Sequence, residues 1–430
     1  MNQTAQLKTY VAHVGIDWAD KKHEVALRLA GTQDIQRCSL EQTPEAIAAW
    51  VAGLRQRFGE GKIAVCLEQA RGALVYALMV HENLVLYPVN PQSVAKFRKV
   101  VHPSGKKDDP LDAAMLLSLL EHFGEQLRPW VPDDVATRKL RLLVEARRGF
   151  VDRRTSLLNE LQATLKSYFP QAFTLLGEDL TCALATDFLK KWNTLEAVKK
   201  LKPATLRAFY YGHQSRSERL IQERLALREQ AVPLTQDPAI VGALSLAAQQ
   251  LAIALASLRG VITTYDTQIA EAFAAHPDAF IFASVDGAGA VLAPRLLVAF
   301  GSDRQRFDQP DAMPRYSGTA PVTERSGRQC WVHRRWARPK FLHQSWVEFA
   351  DQSRRFSGWA GLCYSHLKSK GMGHWAAIRI LAIKWQRILW RCWQDHVAYD
   401  ELAYLKSLKK HGLDLYAELV PGTNTPVNNI

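Results

Sequence analysis

The sequence predicts a chain in three parts: an α/β domain at the N-terminus, a long helical or coiled-coil arm, and a mostly α-helical C-terminal domain. Three observations carry that expectation. Residues 10–121 alternate short apolar runs with amphipathic ones, two long central stretches keep a helical period, and from Ala279 the texture turns to basic loops and tryptophans. A chain of 430 residues exceeds one ordinary core, and domains average roughly 100–200 residues. The expected limits are 1–130 for the α/β domain, 131–278 for the arm, 279–398 for the C-terminal domain and 399–430 for a tail.

Within the first domain, Tyr10–Asp17, His23–Ala30 and Ile35–Leu40 are apolar runs separated by polar turns and are expected to form a three-stranded meander. Thr43-Pro44-Glu45 supplies a cap, a first-turn proline and an acid for the helix dipole, so a helix should run to Phe58. Strand, helix, strand, helix then follow at Ile63–Glu68, Gly72–His81, Leu84–Val89 and Pro91–Val101. That order describes a mixed sheet flanked by helices, the order of the ribonuclease-H-like (RuvC-like) fold. In the arm, Leu140, Val144, Val151, Leu158, Leu161 and Leu165 recur at helical spacing until Pro170 ends the helix. A charged helical insertion leads to a second long Ala/Leu-rich helix, about 239–273, whose apolar Val241–Leu258 stretch is interrupted by Gln249 and Gln250 and is expected to be buried. In the last domain, Trp375, Ile378, Leu381, Trp385, Ile388 and Cys392 fall on one face of a helix over 373–397. After Tyr404 the chain becomes polar and is expected to be disordered.

Composition narrows the function classes. Lys+Arg number 55 against 42 Asp+Glu, a formal charge of +13 that suits a polyanionic partner. Residues 281–395 hold 18 Lys+Arg and 8 Asp+Glu, and the same region carries eight of the twelve tryptophans. Basic charge interleaved with aromatic rings points to nucleic acid. The six cysteines are scattered without metal-ligand spacing, which argues for a reducing compartment and against a disulfide framework or zinc. Met1–Lys8 is polar, with no secretory apolar stretch. A cytosolic protein without membrane contact is expected.

Four acids could converge on a hard cation. Asp17 closes the first strand, Glu68 closes the fourth, and Asp109 and Asp112 lie at i and i+3 where Pro110 opens a helix, so both point to one side of its first turn. Asp108 is a rival that would pair with Asp112 at i+4. Carboxylates in such a set are what Mg²⁺ requires for phosphodiester chemistry, with Mn²⁺ as substitute. Gly15-Ile16-Asp17, Leu67-Glu68-Gln69-Ala70 and Lys107-Asp108-Asp109-Pro110-Leu111-Asp112-Ala113 resemble the three acidic blocks of the DEDD transposases of the IS110 insertion-sequence type, relatives of the Holliday-junction resolvases. The last block resembles the family's Lys-x-Asp-x-x-Asp-Ala and so selects Asp109 over Asp108.

The C-terminal domain carries two further blocks. Ser284-Val285-Asp286-Gly287-Ala288-Gly289 before an apolar helix looks like a helix-hairpin-helix turn, whose glycines would let backbone N–H groups approach a phosphate. Tyr316-Ser317-Gly318-Thr319-Ala320-Pro321 followed by Glu324-Arg325-Ser326-Gly327 resembles the transposase block that carries the family's nucleophilic serine. The match places that role on Ser326, with Ser317 in the neighbouring Ser-Gly pair as a decoy. Lys107, Arg325, Arg328, Arg334, Arg335, Arg338 and Lys340 are the expected nucleic-acid contacts.

The resemblance implies an RNA-guided recombinase of an insertion sequence. It cleaves and rejoins donor and target DNA through a serine ester, with Mg²⁺ on the four carboxylates, and is directed by an element-encoded guide (bridge) RNA. It acts as a dimer that assembles to a tetramer, in the bacterial cytosol or nucleoid. Lys96–Lys99 and Arg147–Arg154 are the basic stretches considered for the RNA. Two other functions stay open on the residues alone: a resolvase-like nuclease using water, and a non-catalytic nucleic-acid-binding protein.

Overall fold

The computed structural model describes residues 9–68, 70–101 and 109–410, with only the backbone of residues 101, 109 and 110. The chain divides into two compact units, 1–132 and 133–430. Lys107, Asp108 and the tail beyond 410 lie outside the described residues.

The first unit is built on a five-stranded sheet of β1 (Ala12–Asp17), β2 (Lys22–Leu29), β3 (Ile35–Glu41), β4 (Ile63–Leu67) and β5 (Leu84–Pro88), in the order β3-β2-β1-β4-β5. The first three strands form an antiparallel meander, and β4 and β5 join in parallel, in register Ile16↔Leu67 and Leu67↔Pro88. Parallel neighbours need helical crossovers, supplied by α1 (Pro44–Phe58) and α2 (Ala73–Leu78). Thr43 caps α1 by accepting from the Ala46 N–H, with Pro44 in the first turn. Two more helices follow, α3 (Pro91–Val101) and α4 (Asp109–Phe123). The sheet is covered on both faces. Val14, Ile16 and Val65 pack with Ile47, Val51, Leu74 and Leu78 on one face, while Ala64, Cys66 and Tyr87 meet Met115, Leu116, Leu119 and Leu120 of α4 on the other. The mixed α/β unit expected from the sequence is present, each element within a few residues of its expected limits.

Among the described residues, the second unit is helical apart from one hairpin. Helix α5 (Val135–Tyr168) and helix α11 (Pro238–Ala274) pack along each other, and five short helices lie between them in sequence: α6 (Ala172–Leu176), α7 (Ala183–Lys191), α8 (Leu195–Lys199), α9 (Pro203–Gly212) and α10 (Glu218–Gln230). Leu161, Leu165, Phe188, Tyr210, Ala248, Ala252 and Leu255 close a core among them. Helix α11 is long and apolar enough to cross a membrane by length and composition. The expectation that it is buried is half right: Ala248, Leu251, Ala252 and Leu255 are covered, whereas Leu246 and Ile253 stand exposed on another face.

Beyond α12 (Ala279–Ala283), α13 (Gly289–Phe300) and α14 (Ala312–Ser317), the chain forms an antiparallel hairpin of β6 (Val322–Ser326) and β7 (Gln329–His333). Helices α15 (Lys340–Phe356), α16 (Gly358–Ser369), α17 (His374–Asp395) and α18 (Glu401–Lys410) complete the unit. Three expectations are corrected here. Residues 405–410, expected to be disordered, form the second half of α18, which inserts Leu405 into the core while Tyr399 accepts a hydrogen bond from Trp359 Nε1 at 2.7 Å. Trp375, placed on the core face of α17, is exposed, whereas Ile378, Leu381 and Trp385 on that face are buried. Trp346, Trp359, Trp385 and Trp393 are core residues, so half of the tryptophans taken as a nucleic-acid signal fill the interior. A compact core made largely of α-helices uses large rings to span interhelical gaps.

Candidate active site in two parts

The carboxylate cleft is a consequence of β1, β4 and α4. Asp17 and Glu68 each follow the last paired residues of adjacent parallel strands, Ile16 and Leu67, so both leave the sheet at the same end. Neighbouring strands lie about 4.8 Å apart. Gly15 brings the third acid to them. A Cβ there would stand 2.2 Å from the Ala113 carbonyl oxygen and 2.4 Å from the Leu117 nitrogen. Only glycine lets α4 lie against β1 at this distance, and Asp112 sits one residue before the contact. Asp17, Glu68 and Asp112 line one cleft of about 340 Å³, together with Trp18, Ala19, Pro91, Ala95 and Arg98. Asp109 opens α4, and its side chain lies outside the description.

The buried Asp112 is held by Arg98, with Nη2 2.8 Å from Oδ2. Sequence reasoning treated Arg98 only as part of a basic stretch for RNA. Its distance from Asp112 in the chain hid the pairing, although α3 and α4 are consecutive helices. Arg147 and Arg148, in the other basic stretch, are likewise engaged, with Asp266 and with Asp152 and Glu348. Among the described residues, no three His, Cys, Asp or Glu side chains stand where they could hold a metal ion. The cleft nevertheless offers hard oxygen donors in a polar setting. Mg²⁺ keeps several waters and needs only one or two protein carboxylates, so the donor set fits in kind.

Ser326 lies in the second unit, at the tip of the β6–β7 hairpin, exposed and paired with Gln329. Gly327 and Arg328 make the two-residue turn, with Gly327 at φ +57°; two-residue turns that match strand twist need positive φ, which glycine adopts without strain. The hairpin was not foreseen. Its signal is in the sequence, as Val322-Thr323 and Trp331-Val332 flank a Gly-containing turn at pairing distance. Ser317 is fully buried, 3.1 Å from Gln386 Oε1 and 3.2 Å from Thr319 Oγ1. The decoy is therefore an anchor: it ties the chain entering the hairpin to α17.

The exit of the hairpin is basic. Gly318 has φ +71°, and a Cβ there would meet Arg338 Cβ at 2.3 Å, so the Arg338 stem packs where a side chain would be. Burial, then Arg334 and Arg379, hold Arg338 below its ordinary range, and Arg379 is lowered by burial and by Arg334. His343 is pushed down to about 4 by burial and by Arg338 and Arg379. Mutual repulsion among guanidinium groups is what an anion would relieve. Arg379, far along the chain in α17, was missed. Arg334 lies over the Trp336 ring at 4.1 Å, and Arg325 and Arg328 are exposed at the hairpin end. Arg335 is partly buried and Lys340 opens α15. In the 284–289 turn, Gly287 (φ +84°) faces protein, since its Cβ would lie 3.1–3.3 Å from Phe356 and Ser353, whereas Gly289 faces open space. The first glycine therefore serves packing rather than phosphate.

The first unit thus holds an acidic cleft at the end of a mixed sheet, the second an exposed serine on an arginine-bearing hairpin, and the chain is similar to known transposases. A DEDD transposase model of the IS110 type matches residues 14–170, and that of the transposase IS116/IS110/IS902 family matches residues 279–365. The IS117 mini-circle protein of Streptomyces coelicolor, a transposase by name, is 29% identical over 403 residues, covering 90% of this chain and 95% of its own. The uncharacterized 42 kDa protein of insertion element IS900 from Mycobacterium paratuberculosis is 26% identical, covering 79% and 84% of the two chains. Protein y4uE of Sinorhizobium fredii, also a transposase by name, is 26% identical over 47% of this chain and 57% of its own. The protein is a DNA transposase. It belongs to the IS110 family of DEDD transposases.

Proposed function

We propose that the chain breaks and rejoins DNA strands of an insertion sequence with Ser326 as the attacking group and with Mg²⁺, or Mn²⁺, held at Asp17, Glu68, Asp109 and Asp112. The observation that carries this reading is the contrast between two Ser-Gly pairs. Ser317 is fully buried and hydrogen-bonded, whereas Ser326 is exposed at a hairpin tip beside Arg325 and Arg328. In the reaction, Ser326 Oγ loses its proton and bonds to phosphorus, and the bond from phosphorus to one deoxyribose oxygen breaks as that oxygen takes a proton. A hydroxyl of the new strand then displaces the serine, so the diester energy is conserved. The bound cation would supply charge neutralisation at the phosphate and help activate the hydroxyl. Arg334, Arg338 and Arg379 hold the DNA backbone, with Arg325, Arg328, Arg335 and Lys340 around them.

The strand order β3-β2-β1-β4-β5, with carboxylates at the ends of β1 and β4, supports a ribonuclease-H-like (RuvC-like) first unit. Exposed Leu246 and Ile253, seven residues apart on α11, support a dimer seam, and dimers would pair into a tetramer on two DNA partners. The charge of +13 suits a guide RNA as well as DNA, and such a complex works in the cytosol or nucleoid.

Adduct trapping tests the serine. A nicked DNA substrate should leave a covalent protein–DNA species whose phosphorylated residue maps to Ser326 by mass spectrometry, absent in Ser326→Ala. An adduct that persists in Ser326→Ala, or cleavage without any adduct, favours attack by another residue or by water and overturns the assignment.

A further inference from the structure

We infer that Trp331 is a stacking platform for one unpaired DNA base next to the phosphate that Ser326 attacks; this rests on the serine reading above. Register carries the argument. In the hairpin Ser326 pairs with Gln329 and Glu324 with Trp331. Directly paired residues share a face, and side chains alternate along each strand. Ser326 and Trp331 are thus diagonal neighbours on the same face, a spacing of about 7–8 Å between backbones. One nucleotide spans such a distance, with its phosphate at the serine and its base on the indole.

The ring is available. Among the described residues, Trp331 is 50% exposed on a strand whose hairpin partner is its only sheet neighbour, and it makes no aromatic or cation–π contact. Its near neighbour Trp336 already carries Arg334 on its ring. A half-exposed tryptophan on a free hairpin loses hydrophobic stabilisation unless something covers it. Charge selects the occupant: residues 322–340 hold six Lys+Arg against the single acid Glu324. A polyanion with flat apolar groups matches that surface, and single-stranded nucleic acid combines both. Within a paired duplex the base faces are already stacked, so the platform acts on a nucleotide unpaired at the exchange point.

The test uses full-length protein in the Ser326→Ala background, so binding is read without cleavage. Two DNA probes are compared, a mixed-sequence duplex and the same duplex with a central unpaired bubble. Trp331→Ala should weaken bubble binding by roughly 5- to 100-fold, the effect of losing one base–aromatic stack, and leave duplex binding unchanged. Trp331→Phe should restore most of the loss. Abasic sites stepped through the bubble should reproduce the loss at one position, and should cost nothing further in Trp331→Ala. Equal losses on both probes, or no loss on the bubble, overturn the proposal. Should Trp331→Ala fold poorly, the abasic scan on protein with Trp331 intact still decides, because a flat profile excludes a stacked base. The serine reading stands or falls separately, on the adduct.

Discussion

At the residue scale, one guanidinium decides the state of the carboxylate cleft. Asp112 is buried and its charge is balanced by Arg98 at 2.8 Å. Removing one partner of a buried pair leaves an uncompensated charge, and since Arg98 is partly exposed, Arg98→Gln should lower stability by about 2 kcal/mol. A cation bound at the cleft replaces the lost compensation. Thermal unfolding should therefore show a larger Mg²⁺-induced rise in Tm for Arg98→Gln than for the unaltered protein. Equal rises would mean that Asp112 takes no part in metal binding. Asp17, Glu68 and Asp112 could be picked out from the sequence because charges that close apolar strands, or open a helix, stand out from their surroundings. Arg98 could not. A single arginine on an amphipathic helix carries no sign of its partner, and only the packing of α3 against α4 reveals it.

At the element scale, the same acidic blocks depend on a glycine whose role is steric. Gly15 has no room for a Cβ beneath Ala113 and Leu117. Gly15→Ala must push α4 off β1, at a cost of about 3 kcal/mol from overpacking, and the move would separate Asp112 from Asp17. Gly53, in α1, has nothing within 4 Å of the same position, so Gly53→Ala should stabilise by roughly 0.5–1 kcal/mol through helix propensity. Urea titrations of the two variants should shift in opposite directions; a neutral Gly15→Ala would refute the close packing. The elements of the first unit were legible because its strands and helices announce themselves by period and by caps such as Thr43-Pro44. The β6–β7 hairpin was not, because its strands are short, charged and exposed on both faces, and so lack the apolar alternation that marks a half-buried strand. Its turn chemistry was the surviving signal. The tryptophans misled for the opposite reason: composition counts rings but does not say which of them lie inside.

At the scale of the whole molecule, the chemistry is split between two units of one chain: the acids lie before residue 133, and the serine lies in the second unit. If, in the proposed dimer or tetramer, one subunit's carboxylates serve the serine of another, the arrangement has a consequence that a self-contained subunit cannot imitate. Asp17→Asn and Ser326→Ala should each abolish strand exchange alone. Mixed and allowed to exchange subunits, the two inactive proteins should regain activity. In a mixed dimer one composite site takes its carboxylates from the serine variant and its serine from the aspartate variant, and is intact, while the other site carries both lesions. Random pairing makes half of the dimers mixed, so about a quarter of all sites should recover. If each site were built within one subunit, every site in the mixture would keep one lesion, and no activity would return at any ratio. Introducing Leu246→Glu and Ile253→Glu into both partners separates assembly from chemistry. These exposed positions on α11 belong to neither set of reacting groups, and charge placed along an apolar seam opposes pairing. The recovered activity should then disappear together with the dimer in light scattering, whereas recovery that survives in demonstrably monomeric protein would rule out α11 as the seam.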